Sequence, residues 1–274
     1  IPLFHYSTKI MITKNLKIAL IEDDIKWGDK YVNLEQLGRN IQNVSNGTDI
    51  IVLPELFTTG FIVDDSAREL AENNSGETVK YLKNLANYYN VAFAGSFLAT
   101  DETGKLYNRG FFLEPNGDEM FYDKQHLFTM SGEQNVYTPG EKPSSIVRFR
   151  GFNIKLIVCY DLRFPVFCRN VNNAYDVLIV VANWPKVRLH PWKTLLQARA
   201  IENECFVCGV NRCGTDPKGL EYATGASIIV DFKGKIIGER STSPIIEAEL
   251  SPSELARFRE KFPAWRDADE FRLY

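Results

Sequence analysis

The chain has 274 residues, 45% apolar and 24% charged, with a net charge of −3. That is the composition of an ordinary globular protein, long enough to bury a core without staples. The weak charge gives no reason to expect a nucleic-acid or membrane partner, and no apolar run approaches the ~20 residues of a membrane span.

Residues 1–15 are set aside as an N-terminal extension, since Ile1–Ile10 precede Met11. The opening stretch lacks the apolar core and cleavage site of a secretory leader, so the five cysteines are expected to be reduced thiols of a cytoplasmic protein. LKIALIE (Leu16–Glu22) reads as a buried strand. Tyr31–Val44 places Val32, Leu34, Leu37, Ile41 and Val44 near the helical period. DIIVLPE (Asp49–Glu55) is a second strand ended by Pro54, Thr78–Asn90 a second amphipathic helix, and VAFAGSFL (Val91–Leu98) a third strand. Leu106–Lys124 then reads as two strands around the turn EPNGDE.

SSIVRFRGFNIKLIVCY gives another strand pair around Arg150–Gly151. After it come a helix at Pro165–Asn173, the strand DVLIVVAN (Asp176–Asn183), a helix at Pro191–Glu204 and the strand CFVCGVN (Cys205–Asn211). A hairpin turns at Lys233–Gly234, and a strand follows at Ile245–Leu250. Ser251 and Glu254 form a capping-box pattern, with Pro252 at the first helical position. Strand–helix–strand units mixed with hairpins predict an α/β fold with mixed sheets covered by helices. With no linker or fixed repeat, 16–274 is expected to be one domain.

The segment IKLIVCYDLRFP (Ile154–Pro165) carries a cysteine out of an apolar strand and sets Tyr160, Asp161 and Arg163 just beyond it. Reactive groups in open α/β sheets gather at the carboxyl ends of strands, so Cys159 is a candidate nucleophile as well as a candidate core thiol. Cys205, Cys208 and Cys213 look like metal ligands on a count. However, positions three apart on a strand face opposite sides, and no further pair completes a zinc set. They are assigned to packing, as is Cys168 on its predicted helix.

A cysteine nucleophile needs a base or a lowered pKa. Of the three histidines, His5 lies in the extension and His190 sits at a helix start. His126, near Lys124 in DKQHLF, leaves a Cys159–His126 dyad conceivable. The second candidate base is Glu55, just past the Asp49–Leu53 strand, whose end is expected on the same rim as Cys159.

LPELFTTGF with Glu55, YDKQHLF with Lys124 and CYDLRFP with Cys159, in that order and spacing, resemble the nitrilase superfamily of carbon–nitrogen hydrolases. RNVNNAYDVLIVVANWP and LLQARAIEN extend the similarity, which runs from Leu16 to Leu250 and is greatest to the omega-amidase branch. The resemblance implies a four-layer αββα sandwich with two mixed sheets, and a homodimer formed through the helical layers. It assigns Cys159 as nucleophile, Glu55 as general base, and Lys124 as the cation that favours the thiolate and stabilises the oxyanion. The Tyr160 N–H is the implied second oxyanion donor, and Glu133 is expected to orient Lys124 or the substrate. No metal or organic cofactor is implied.

The implied substrate is a small amide: the ω-amide of a short dicarboxylic or 2-oxo acid, such as 2-oxoglutaramate or succinamate. Arg163 is the candidate for its distal carboxylate, because guanidinium pairs bidentately with carboxylate; the alternative is a structural salt bridge to Asp161 or another acid. Phe57, Phe61 and Trp184 are candidate pocket walls. The same triad would also serve an N-carbamoyl compound, a nitrile or a deaminated peptide amide. A non-catalytic binding protein on the same fold is the reading from another class, opposed by the intact Glu55, Lys124 and Cys159.

Overall fold

The computed structural model describes residues 14–141 and 146–269, so His5, most of the extension and the first residues of the predicted strand at Ser144 lie outside them. The first half comprises strand β1 (Leu16–Ile21), helix α1 (Lys30–Ile41), β2 (Ile50–Val52), α2 (Ala67–Leu70), α3 (Glu77–Tyr89), β3 (Ala92–Thr100), β4 (Leu106–Leu113) and β5 (Glu119–Asp123). The second comprises β6 (Ile146–Phe149), β7 (Phe152–Val158), α4 (Pro165–Cys168), β8 (Val177–Ala182), α5 (Leu189–Asn203) and β9 (Phe206–Asn211). It continues with the short pair β10 (Gly214–Thr215) and β11 (Glu221–Tyr222), then β12 (Ile228–Val230), β13 (Ile236–Glu239), β14 (Ile245–Leu250) and α6 (Pro252–Lys261).

Two six-stranded sheets result, ordered β14-β1-β2-β3-β4-β5 and β13-β12-β9-β8-β7-β6. In each, a parallel trio, β1–β2–β3 or β7–β8–β9, is flanked by antiparallel strands. Strand alternation decides how they pack. Leu16, Ile18, Leu20, Ile50, Val52, Ala92, Ala94 and Phe112 join the strands of the second sheet in one buried cluster. Their neighbours Ala19, Ile21, Ile51, Leu53, Phe93, Phe111 and Leu113 join Leu34, Leu37 and Ile41 of α1 and Val79, Leu82 and Ala86 of α3 in another. A period of two thus presents one face to the other sheet and the opposite face to helices. On the far side α5 lies on β9 and β12. The layers run helix, sheet, sheet, helix, as the resemblance implied.

Local chemistry sets most element ends. Arg150 and Gly151 both have positive φ, 45° and 90°, which gives the two-residue turn that matches strand twist between β6 and β7. Ser251 caps α6 through its hydroxyl on the Glu254 N–H, with Pro252 in first place. The helices at 31–44, 78–90 and 191–204 are found within a few residues of their predicted bounds.

The predicted helix Pro165–Asn173 is not continuous. It stops at Cys168, Arg169 is extended, and Val171–Asn173 turns through left-handed Asn172 and Asn173. The Asn170 amide binds the N–H and carbonyl of Tyr175 and the carbonyl of Asn203, so side-chain hydrogen bonds compete with the helical ladder.

Close layer packing relies on Gly209, in β9 beneath α5. A Cβ placed there would lie 2.4 Å from Cδ1 of the buried Leu196. Gly209→Val is therefore expected to destabilise the fold by about 1–3 kcal/mol, by overpacking. The check is the thermal midpoint, and an unchanged one would contradict the close contact.

Candidate active site

Glu55 lies three residues past β2, Lys124 directly follows β5, Cys159 follows β7 and Asn183 follows β8. All four line one cavity of about 270 Å³, together with Phe61, Tyr160, Arg163 and Trp184. The expectation that the strand ends bearing Glu55 and Cys159 share a rim is met. Two of the turns that deliver these groups are strained. Leu56 and Cys159 have φ of 47° and 46°, a left-handed region that costs a non-glycine residue of order 1–3 kcal/mol.

The Lys124 ammonium sits between two carboxylates. Its Nζ lies 3.0 Å from Glu55 Oε1 and 2.9 and 3.0 Å from the two oxygens of Glu133, and all three residues are buried. Burial works against the charged amine, but the negative charges of Glu133 and Glu55 outweigh it and hold its pKa well above the ordinary lysine range. Burial in turn pushes the Glu133 carboxyl up, despite its bonds to Lys124 and to the Phe128 N–H. The ring of Phe61 lies 5.5 Å from Nζ.

Glu55 is held on both oxygens. Oε1 accepts from Asn108 Nδ2 at 2.7 Å as well as from Lys124, and Oε2 accepts from the Asn183 N–H at 2.7 Å. Asn183 Nδ2 also donates to the Glu55 carbonyl at 2.6 Å. The base candidate thus bridges the sheets, with β2 and β4 on one side and the end of β8 on the other.

Cys159 is half-buried, whereas Cys168, Cys205, Cys208 and Cys213 are buried. Burial raises its thiol well above the ordinary value, and the nearby Glu55 charge adds to the rise; Lys124 opposes both without reversing them. Lys124 acts in the expected direction, toward the thiolate, but is outweighed. Glu55, in the same cavity, is the candidate acceptor for the thiol proton.

The Cys159–His126 dyad is not formed. His126 Nδ1 faces Asp161 Oδ1 at 2.8 Å, its backbone N–H donates to the same oxygen, and its ring stacks on Phe164 with centroids 3.8 Å apart. Asp161 Oδ2 accepts from the Tyr122 hydroxyl at 2.7 Å and the Val158 N–H at 3.1 Å. Both oxygens are thereby engaged by groups other than Arg163, so the alternative bridge from Arg163 to Asp161 is also absent. Asp161 pins the Cys159–Arg163 turn to β5 and to the loop behind Lys124.

Arg163 is exposed at the cavity wall, its guanidinium 4.9 Å from the Trp184 ring centre. Arg188 also lines the cavity and lies 5.2 Å from the Phe128 ring. Neither side chain has an ion-pair partner among the described residues. Phe57, expected in the wall, instead packs against Phe111 in the cluster under α1 and α3. His190 lies on the second residue of α5, away from the cavity.

Cys168, Cys205 and Cys208 belong to the core, where burial lifts their thiols, that of Cys168 to about 11. Cys213 is buried outside that cluster, and burial raises its thiol too. No group of three potential ligands among the described residues is spaced for a metal ion. Sequence reasoning missed Asn108, Asn183 and Arg188. Asn183 carries the signal that exposed Glu55 and Cys159, a polar residue at the end of an apolar strand. Asn108, inside β4, carries none.

A family model described as carbon–nitrogen hydrolase matches residues 17–260. The chain belongs to that family. Among its relatives, omega-amidase YafV of Escherichia coli (strain K12) is 44% identical over 261 residues, covering 94% of this chain and 99% of the relative. The 2-oxoglutaramate amidase of Bacillus subtilis (strain 168) is 32% identical over 91% of this chain and 96% of its own length.

A crystal structure of a CN-hydrolase superfamily protein from Xanthomonas campestris, with an arsenic adduct in the active site, superposes with a TM-score of 0.90. It shares 38% identity and covers 95% of this chain and 100% of that one. A Saccharomyces cerevisiae member of branch 10 of the nitrilase superfamily gives a TM-score of 0.83 at 28% identity, covering 92% and 96%. This carbon–nitrogen hydrolase therefore has the nitrilase fold over nearly its whole length.

Two measurements check the site geometry. The thiolate absorbance lost in Cys159→Ala is expected to develop only above pH 9, and a step near neutrality would instead indicate a standing ion pair with Lys124. His126→Asn is expected to keep measurable turnover while Lys124→Ala loses about 10²–10³ in kcat, the scale of a lost oxyanion donor. The reverse pattern would restore the histidine as base.

Proposed function

We propose that the chain is a thiol amidohydrolase that cleaves the ω-amide of short dicarboxylic or 2-oxo acid monoamides, such as 2-oxoglutaramate and succinamate. The observation that carries this reading is the meeting of Glu55, Lys124 and Cys159 in one cavity whose wall bears the Arg163 guanidinium, which has no ion-pair partner among the described residues. The names of the Escherichia coli and Bacillus subtilis relatives agree with it.

In this reading Cys159 Sγ attacks the amide carbon as its proton passes to Glu55. The developing oxyanion takes one N–H of Lys124 and the backbone N–H of Tyr160. Lys124 has three N–H groups, and two directions point to Glu55 and Glu133, which leaves the third for substrate. Tyr160 lies in the first turn of the Cys159–Arg163 segment, where N–H groups lack partners within the turn.

Glu55 returns its proton to the departing nitrogen, which leaves as ammonia, and a thioester remains on Cys159. Glu55 then deprotonates a water that attacks the thioester, and the proton returns to sulfur as the acid is released. Glu133 holds Lys124 in place through this cycle. Arg163, with Trp184 behind it, receives the distal carboxylate. Phe61 closes the wall beside Lys124.

The same reading includes a homodimer formed through the helical layers and a cytoplasmic location, supported by cysteines that all stand as thiols. The deciding assay compares ammonia release from 2-oxoglutaramate, succinamate and glutamine. Arg163→Ala is expected to raise KM for 2-oxoglutaramate by about ten- to a hundredfold, the worth of a charge-assisted contact, and to change KM for a neutral amide little. Equal effects on both would remove Arg163 from substrate recognition.

A further inference from the structure

Glu55 is tied to the chain by a closed ring of hydrogen bonds that the chemistry above does not use. The N–H of Leu56, the residue after it, donates to Ser96 Oγ at 2.9 Å. Ser96 Oγ donates to Asn108 Oδ1 at 2.9 Å, and Asn108 Nδ2 donates to Glu55 Oε1 at 2.7 Å. Ser96, Asn108 and Glu55 are all fully buried. The ring therefore starts on the backbone beside Glu55 and ends on its side chain, passing through β3 and β4.

Every hydrogen in the ring has one position. Ser96 has a single hydroxyl hydrogen; its oxygen accepts from Leu56, and the hydrogen goes to Asn108 Oδ1, whose NH₂ is turned to the acceptor-only Glu55 carboxylate. Asn108 then cannot turn its amide over. A turned amide would set its oxygen against Glu55 Oε1 and its NH₂ against a hydroxyl whose hydrogen points the same way. The ring also spans Leu56, whose left-handed backbone needs surroundings that hold it.

We infer that Asn108 and Ser96 are positioning residues for the reaction: Ser96 fixes the amide of Asn108, and Asn108 fixes the Glu55 carboxylate by a donor on Oε1 while the Asn183 N–H holds Oε2, so that the carboxylate stays beside Cys159 in the cavity. The inference rests on Glu55 being the base. Neither residue touches the substrate or the sulfur, and neither lines the cavity. Their removal acts on proton transfer and leaves substrate binding in place. A donor to the charged form stabilises it, so its loss requires a higher pH to keep the base ionised.

The test is the pH dependence of ammonia release from 2-oxoglutaramate by Asn108→Leu, Ser96→Ala, the double variant and Glu55→Gln as reference. Asn108→Leu is expected to lower kcat by about ten- to a hundredfold. It should also move the acid limb of the kcat/KM profile to higher pH, with KM within about twofold. Ser96→Ala is expected to give a smaller effect of the same kind, and the double variant to match Asn108→Leu, since the serine acts only through the asparagine.

An Asn108→Leu enzyme with an unmoved acid limb and unchanged kcat, beside an inactive Glu55→Gln, overturns the positioning role alone. An active Glu55→Gln overturns the base assignment on which it rests. If Asn108→Leu does not fold, Ser96→Ala decides: a limb shift supports the ring, and a loss of thermal stability with an unmoved limb refutes it.

Discussion

The structure is organised around one buried ammonium between two buried carboxylates. Removing such charges from water costs several kcal/mol per ion, and an apolar trio of the same volume would often serve stability as well or better. The cluster persists because each oxygen is met: Glu55 by Asn108, Asn183 and Lys124, Glu133 by Lys124 and the Phe128 N–H. Two carboxyl groups thus face one ammonium beside Cys159. Burial and the Glu55 charge favour the protonated Cys159 thiol, and Lys124 opposes them.

The surrounding fold supplies that cluster with partners from distant parts of the chain. Parallel strands deliver polar residues at their carboxyl ends, and the two sheets set those ends against one another. Asp161 performs the same service beside Cys159, binding Tyr122, His126 and its own Val158 so that the turn carrying Cys159 is fixed from three directions.

Much of this was legible in the sequence because it follows from short-range rules. Apolar runs marked β1, β2, β7 and β8, and the residues breaking out of them marked Glu55 and Cys159. The layer arrangement came from resemblance, since alternation in β1 or β2 shows that two faces are buried but not what covers each. The break after Cys168 escaped because Asn170 finds partners at Tyr175 and Asn203, one of them 33 residues away. His126 looked available as a base for a similar reason. Only the folded chain sets Asp161 against it. Phe57 and Phe61 are four residues apart and chemically alike, yet one faces the helices and the other the cavity.

Glu55 and Lys124 follow strands of one sheet and Cys159 and Asn183 strands of the other, so these groups meet across the plane on which the two sheets pack. A slip of ~1 Å between them would leave every strand intact and most of the core still dry, but it would part sulfur from carboxylate by a distance that reactions rarely tolerate. In the proposed reaction, turnover is thereby a finer gauge of how the sheets are seated than melting temperature. Alterations deep in the intersheet layer, far from any substrate, would register first as a slower catalyst and only later as a weaker fold.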